Sequence, residues 1–178
     1  MKVLITGASG LLGRWVSRSA RAAGHDVFGV DNCCRLRLFG DTGGDPRDSN
    51  DHDDLGARDS FDDDAVLGRL SEFDAVVHCA AQTSHPRSIE IPEQDFEVNA
   101  AGTLRLLLRL RSILPRRKVR LIHVSSAKVY GQNVDSPTRY PVVECETRYV
   151  YRDAACRGVA EDCPGGDQTI LTPFGVSK

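Results

Sequence analysis

The sequence predicts an α/β domain: a doubly wound parallel sheet with helices on both faces. Three observations carry this. Short apolar runs alternate along the chain with segments of helical period, the pattern of a parallel sheet joined by crossover helices. The first run, Val3-Leu4-Ile5-Thr6, passes directly into Gly7-Ala8-Ser9-Gly10-Leu11-Leu12-Gly13, a glycine triplet with a helix-compatible stretch behind it. An acidic residue, Asp31, closes the second run. At 178 residues the chain is expected to form one domain, 1–178, large enough for a real core.

The elements follow in order. Strand one is Lys2–Thr6. A helix runs from about Leu11 to Ala23, with Gly24 as its natural stop. Strand two is Asp26–Val30. From Asn32 to about Asp59 the chain is polar and aperiodic, which predicts a long loop holding a degraded third strand. Asp62–Leu70 reads as a short helix, and Asp74–Cys79 as a buried strand. Pro92–Leu114 carries one long helical pattern, with Leu104, Leu107, Leu108 and Leu110 as its apolar side and Arg105, Arg109 and Arg111 solvated. Val119–Ser125 reads as another buried strand. Gln132–Thr172 is a long polar connection, of the kind that is usually functional inside a compact domain. There is no internal repeat and no low-complexity tract.

The glycine triplet is how a chain builds a dinucleotide pyrophosphate site. Gly7 allows a sharp turn off the strand, and Gly10 lets backbone N–H groups approach the phosphates. Gly13 lets the helix pack close to the strand, so that its positive end faces the anion. Three glycines in an ordinary strand–helix turn are the plain alternative; the strand before and the helix after favour the phosphate site. A carboxylate at Asp31 would accept hydrogen bonds from both adenosine ribose hydroxyls and repel a 2′-phosphate, which favours NAD over NADP. Arg35 nearby reads as a loop arginine, and an Asp after a strand is also a common turn residue. His78-Cys79-Ala80-Ala81 ends a strand in small residues that leave room for a flat ligand; tight helix packing would equally explain the two alanines. Ser125-Ser126 ends the next; a helix or turn cap is the plain alternative, but such hydroxyls are of the kind that hydride chemistry on an alcohol needs.

Composition narrows the classes. A net charge of −2 with 40% hydrophobic residues suggests neither disorder nor a nucleic-acid or membrane surface. No apolar run approaches the ~20 residues of a membrane span. Met1-Lys2 leads straight into the first strand, leaving no room for a cleavable signal, so a cytoplasmic protein is expected. The six cysteines then read as free thiols. Cys33 and Cys34 are adjacent and the others scattered, unlike a zinc site; Cys79 reads as a core residue. Asp51-His52-Asp53-Asp54 and Asp62-Asp63-Asp64 raise a metal site as an alternative to a solvated loop and a helix start. The second reading is preferred and no metal is expected.

These motifs together resemble the extended short-chain dehydrogenase/reductase family, specifically its NAD-dependent epimerases and dehydratases with a Rossmann-type fold. The resemblance is colinear. It runs through Thr6-Gly7-Ala8-Ser9-Gly10-Leu11-Leu12-Gly13, Asp31-Asn32, His78-Cys79-Ala80-Ala81 and Asn99-Ala100-Ala101-Gly102-Thr103. It continues through Ser125-Ser126-Ala127-Lys128-Val129-Tyr130-Gly131 and Thr172-Pro173-Phe174-Gly175-Val176-Ser177-Lys178. Ala127-Lys128-Val129-Tyr130-Gly131, Glu146-Thr147-Arg148-Tyr149 and the Gly158…Glu161-Asp162…Thr172-Pro173 run are most like the CDP-paratose (tyvelose) 2-epimerase branch. The dehydratase branch would carry an Asp-Glu pair where this chain has Ala127-Lys128, which argues against sugar dehydration.

The resemblance implies roles. Gly7, Gly10 and Gly13 would hold the pyrophosphate, and Asp31 with Asn32 the adenosine ribose. Asp59 would contact the adenine amino group, with Asp54 as its rival. Ala80 and Ala81 would line the cofactor, and Asn99 would brace the helix near the active site. Ser126 would hydrogen-bond the reacting sugar oxygen, and Lys178 would hold the nicotinamide ribose and lower a catalytic phenol's pKa. The implied substrate is a nucleotide-sugar, a CDP-sugar favoured, with NAD as cofactor and neither nucleic acid nor membrane as partner. Two departures matter. The family's general base is a Tyr four positions before the Lys, and this chain has Phe174. Tyr130 and His85 are the substitutes to consider. The chain also stops at Lys178, where family members continue into further strands and a substrate-binding C-terminal region. A C-terminally truncated domain is therefore expected, with homodimerisation doubtful. The implied activity is transient hydride transfer with weak or no turnover. The alternatives are a non-catalytic NAD-binding module or truncated relic, and an NADP-dependent carbonyl reductase.

Overall fold

The computed structural model describes residues 1–34, 64–135, 140–153, 158–159, 162–163 and 172–178. These divide into two units, one of residues 1–82 with 97–124, the other of 83–96 with 125–178.

The first unit is a Rossmann-like four-stranded parallel sheet. Its strands are β1 (Lys2–Thr6), β2 (Asp26–Val30), β3 (Ala75–His78) and β4 (Arg120–His123), in the order β2-β1-β3-β4. The order reverses at β1, so the carboxyl ends of β1 and β3 flank a topological switch point, where open α/β sheets bind ligands. Alternation along the strands sends side chains to both faces. On one face Leu4, Val30 and Val76 pack with Val66, Leu67, Leu70 and Phe73, and with Leu106 and Leu110 of a helix over Gly102–Ile113. On the other, Val3, Ile5, Val27, Ala75 and Val77 pack with Val16 and Ala20 of α1 (Leu11–Ala22). Both faces are covered, and β3 is accordingly apolar at three of its four positions and buried at all of them. α1 stops as expected: the Gly24 N–H donates to the Arg21 carbonyl at 2.9 Å. Below the sheet, the Asp74 carboxylate accepts from the Lys2 N–H at 2.8 Å and pairs with Arg117 at 2.6 Å. The Lys2 N–H, aided by Arg117, holds the Asp74 carboxyl below its ordinary value.

Several expectations are corrected. The segment predicted as one helix over 92–114 divides into α3 (Pro92–Phe96), a π-helical turn over Glu97–Ala101 and α4 (Gly102–Ile113). In α4 the buried positions are Gly102, Leu106 and Leu110, while Leu104, Leu107 and Leu108 are exposed. The four-residue spacing 102-106-110 lies along one side of the helix, and that line meets the sheet. The expected buried strand over 119–125 is β4, largely exposed, because it is the last strand of the sheet among the described residues. Of the helix expected over 62–70, the described residues form an α turn, Asp64–Leu67, followed by a 3₁₀ turn at Leu70–Glu72. Cys79 is half-buried and packs against the core cluster of Val3, Ile5, Val27, Ala75 and Val77, and Cys163 is buried. Most of the polar stretch 32–59, with its degraded third strand, lies outside the described residues.

The second unit is made of short pieces. Its first helix, α2 (His85–Glu90), adds to the predicted elements; its N-cap is Ser84, whose hydroxyl accepts from the Arg87 N–H at 3.3 Å, with Pro86 in the first turn. A 3₁₀ segment spans Ala127–Asp135 and kinks at Gly131. The predicted polar connection after it contains an antiparallel hairpin, β5 (Val142–Glu144) with β6 (Tyr149–Tyr151), closed by the Cys145 N–H on the Arg148 carbonyl at 2.8 Å. A final helix, α5 (Pro173–Ser177), is capped by Thr172, which accepts from the Gly175 N–H at 3.2 Å.

Candidate functional site

In the first unit the sequence-assigned cofactor residues converge on the carboxyl ends of β1, β2 and β3. Gly7 has a positive φ of 70°, and a Cβ there would stand 2.6 Å from the Ala80 nitrogen. A Cβ on Gly13 would stand 2.0 Å from the Gly7 carbonyl oxygen, which fixes how closely α1 approaches the turn. Both glycines are therefore required by contacts inside the protein. Gly10 differs: its Cβ would meet only the Gly7 carbonyl, at 3.1 Å, so the space it leaves lies at the N-terminus of α1. Asp31 is tied to this turn. One carboxylate oxygen accepts from the Ser9 N–H at 3.0 Å and the other from the Cys33 N–H at 2.7 Å. Asn32 caps the same bend, accepting from the Cys34 N–H at 3.0 Å.

Ala80 and Ala81 leave β3 half-exposed. Asn99, buried in the π-helical turn, accepts from the Gln82 N–H at 2.9 Å and donates to the Gln82 carbonyl at 3.1 Å. These two bonds tie its side chain to the segment that follows β3. A π turn places its side chain where a regular helix would not, and such turns concentrate at functional sites. Asp59 and its rival Asp54 lie outside the described residues, as does Arg35.

The second unit gathers the residues implied for catalysis. Ser126 immediately precedes the 3₁₀ segment, its hydroxyl accepting from the Lys128 N–H at 3.3 Å. The Ser125 hydroxyl donates to the Lys178 carbonyl at 3.1 Å, so the two sequence-distant motifs meet. Phe174 is buried in α5, and the His85 ring lies 4.5 Å from it, centroid to centroid. His85 Nδ1 is 3.5 Å from the Thr172 hydroxyl. Of the two substitutes for a base, His85 is thereby brought to the Phe174 position; Tyr130 sits half-buried just before the kink at Gly131. α5 is held by a buried hydrogen bond, Ser177 to the Asp95 carboxylate at 2.5 Å.

Two features escaped the sequence reading. The Ser9 hydroxyl is buried and, among the described residues, has no hydrogen-bond partner. Ser9 lies inside the glycine motif, but nothing local marks its hydroxyl as unpaired. The second is a pair of hydroxyls on the buried His78 ring: Thr6 on β1, itself buried, at 2.7 Å and the half-buried Thr103 on α4 at 3.1 Å. A histidine closing the otherwise apolar strand Ala-Val-Val-His was the available signal. No group of three or more metal-ligating side chains occurs among the described residues, and no described helix is long and apolar enough to cross a membrane.

Residues 3–174 match the family model described as NAD dependent epimerase/dehydratase family. The chain is 32% identical to the CDP-paratose 2-epimerase of Salmonella typhi, an alignment covering all of this chain and 50% of that protein. It also resembles the structure of UDP-glucose-4-epimerase from Stenotrophomonas maltophila with bound NAD and formylated UDP-arabinopyranose. There the TM-score is 0.68 and the identity 27%, over 100% of this chain and 45% of that one. The NAD complex of UDP-glucose 4-epimerase from Thermus thermophilus gives a TM-score of 0.63 and 26% identity, over 100% and 47%. The chain thus spans about half the length of these relatives.

Proposed function

The chain belongs to the NAD dependent epimerase/dehydratase family, and from that premise we propose that it is an NAD-binding member of the nucleotide-sugar epimerase line. We take it to be of the CDP-paratose 2-epimerase type, with weak or no turnover by these residues. The observation that carries the cofactor part is the Ser9 hydroxyl, buried without a partner among the described residues in the turn that Gly7, Gly10 and Gly13 shape. A buried polar atom left unpaired costs free energy unless a ligand or water meets it, and a phosphate oxygen at a helix N-terminus would do so.

The residues present fit NAD. Gly7, Gly10, Gly13 and Ser9 would hold its pyrophosphate, and Asp31, anchored to the same loop, its adenosine ribose. Ala80 and Ala81 would face the ring system with Asn99 bracing them. NAD supplies a hydride acceptor and donor for a sugar carbon. Ser126 would position the sugar hydroxyl, and Lys178 the cofactor's ribose. Phe174 can neither take nor give a proton. Acid–base catalysis typically contributes about 10²–10⁴-fold, so its loss leaves positioning with little chemistry. That same residue favours the second reading, a non-catalytic NAD-binding module. His85, against the Phe174 ring, is the group through which turnover would survive.

Calorimetry on residues 1–178 tests both parts. NAD⁺ is expected to bind, NADP⁺ to bind more weakly, and an Asp31→Asn variant to lose that discrimination. A folded sample that gives heat with neither dinucleotide overturns the cofactor reading, and a preference for NADP⁺ overturns the role of Asp31. Measurable epimerisation of a CDP-sugar overturns weak turnover, and its loss in His85→Gln would then identify the base.

A further inference from the structure

We propose that His78 is a positioning residue for the dinucleotide site. As a neutral imidazole with its proton on Nε2, it links β1 to α4 and holds the 80–82 backbone against the glycine turn. The proposal rests on the NAD-binding reading of that turn.

The hydrogen-bond order assigns the tautomer. The Thr103 hydroxyl donates its single proton to the Asn99 carbonyl at 2.6 Å. Its 3.1 Å contact with His78 Nε2 must therefore be an N–H donated by the ring. In a neutral imidazole Nδ1 is then an acceptor, and the Thr6 hydroxyl 2.7 Å away donates to it. The Thr6 oxygen keeps a lone pair, which receives the Ala80 N–H at 3.2 Å. Direction is thus consistent from the Ala80 N–H through Thr6, His78 and Thr103 to the Asn99 carbonyl. The Asn99 side chain returns to the Gln82 backbone with both of its polar atoms. Residues 80 and 82 are each fixed by one end of this relay.

The position matters because the Ala80 nitrogen and Cα are among the atoms nearest to where a Cβ on Gly7 would lie. A shift of a few tenths of an ångström at residue 80 would change the room at the turn. Thr6 and His78 are almost fully buried, and in that setting a half-satisfied network costs more than a complete one gains. Among the described residues, His123, its register partner on β4, is a titratable side chain that faces His78, with ring centroids 5.4 Å apart. Neither the glycine motif nor the base position explains why a histidine ends β3; the relay does.

The test uses the whole chain. Two-bond ¹⁵N–¹H correlation of the imidazoles at neutral pH is expected to show His78 protonated at Nε2 and bare at Nδ1; the opposite tautomer, or an imidazolium, overturns the proposal. Calorimetry with NAD⁺ then compares Thr103→Val with Thr103→Ser. The valine keeps the shape and removes the hydroxyl, and is expected to weaken NAD⁺ binding about tenfold; the serine restores it. If the valine variant fails to fold, the same comparison is made with His78→Asn, whose amide oxygen can accept from Thr6 in place of Nδ1 but whose shorter side chain places no N–H at the position of Nε2 toward Thr103, and which is again expected to weaken binding. Variants that bind as well as the parent overturn the role of His78 alone. A folded parent chain with no affinity for NAD⁺ overturns the cofactor reading, and the positioning role with it.

Discussion

The unit of residues 1–82 and 97–124 and the unit of 83–96 and 125–178 are built in opposite ways. In the first, role-bearing residues sit at strand ends, and their places follow from sheet register and backbone contact. Gly13 has no alternative, because a Cβ would stand 2.0 Å from a carbonyl oxygen. In the second, they sit on or beside short helices and a 3₁₀ segment tied by side-chain hydrogen bonds of Ser84, Ser125, Thr172 and Ser177. Helices of five or six residues are marginal alone and depend on such ties. The lesson is one of tolerance. A site made by backbone packing can lose little without losing the sheet. A site made by capping and side-chain bonds depends on few atoms at each position, so a residue such as Phe174 can vary while the local structure is kept.

The largest expected effect would come from Gly13→Val. The added atoms meet backbone, which cannot swing aside, so stability should fall by about 3 kcal/mol. For a chain of this size that is a drop in Tm of about 10 °C, with NAD⁺ binding lost. A variant that melts and binds normally would break the contrast. Next is Phe174→Tyr, which restores a phenol where the family resemblance places the base. Turnover of a CDP-sugar, followed by NMR of the product, should rise about 10²-fold or more, while NAD⁺ affinity stays unchanged. Ser177→Ala removes a donor from the buried Asp95 carboxylate and should cost about 1–3 kcal/mol. Thermal denaturation reads that loss, and an unchanged NAD⁺ affinity would keep the second unit's ties separate from the first unit's site. The smallest effect concerns Asp74. Its carboxyl is held below its ordinary value in the folded chain, so its stabilising contribution is present above the ordinary carboxylate pKa and is lost as pH falls through the depressed folded value. Comparing the Tm of Asp74→Asn with the parent from neutral to acid pH should show a small deficit that closes at the acid end.

The legibility of the sequence follows the same division. β1, α1 and β2 are readable because strand alternation, the glycine spacing and the Gly24 stop are local and agree with one another. The 92–114 segment misleads, because helical period cannot show where the hydrogen-bond spacing widens to a π turn. Nor can it distinguish Leu106 from Leu104, since either could face a sheet. β5 and β6 are hidden in a polar stretch, and their strands are three residues each. α2 begins at Ser84-His85-Pro86, a capping signal that is present locally but is followed by too few residues to show a helical period.

By itself the sequence determined the α/β class, the glycine turn and the absence of a phenol at 174, because each depends on residue type at close spacing along the chain. Only the tertiary structure decided that Ser9 keeps a buried hydroxyl unpaired among the described residues, that His85 lies against Phe174, and that His78 connects Thr6 to Thr103. Those contacts join residues far apart in the chain or depend on what surrounds an atom in space, as with Thr6 and His78 or His85 and Phe174. No local pattern encodes such a pairing; the parallel register of β1, β3 and β4 and the packing of short capped helices create it.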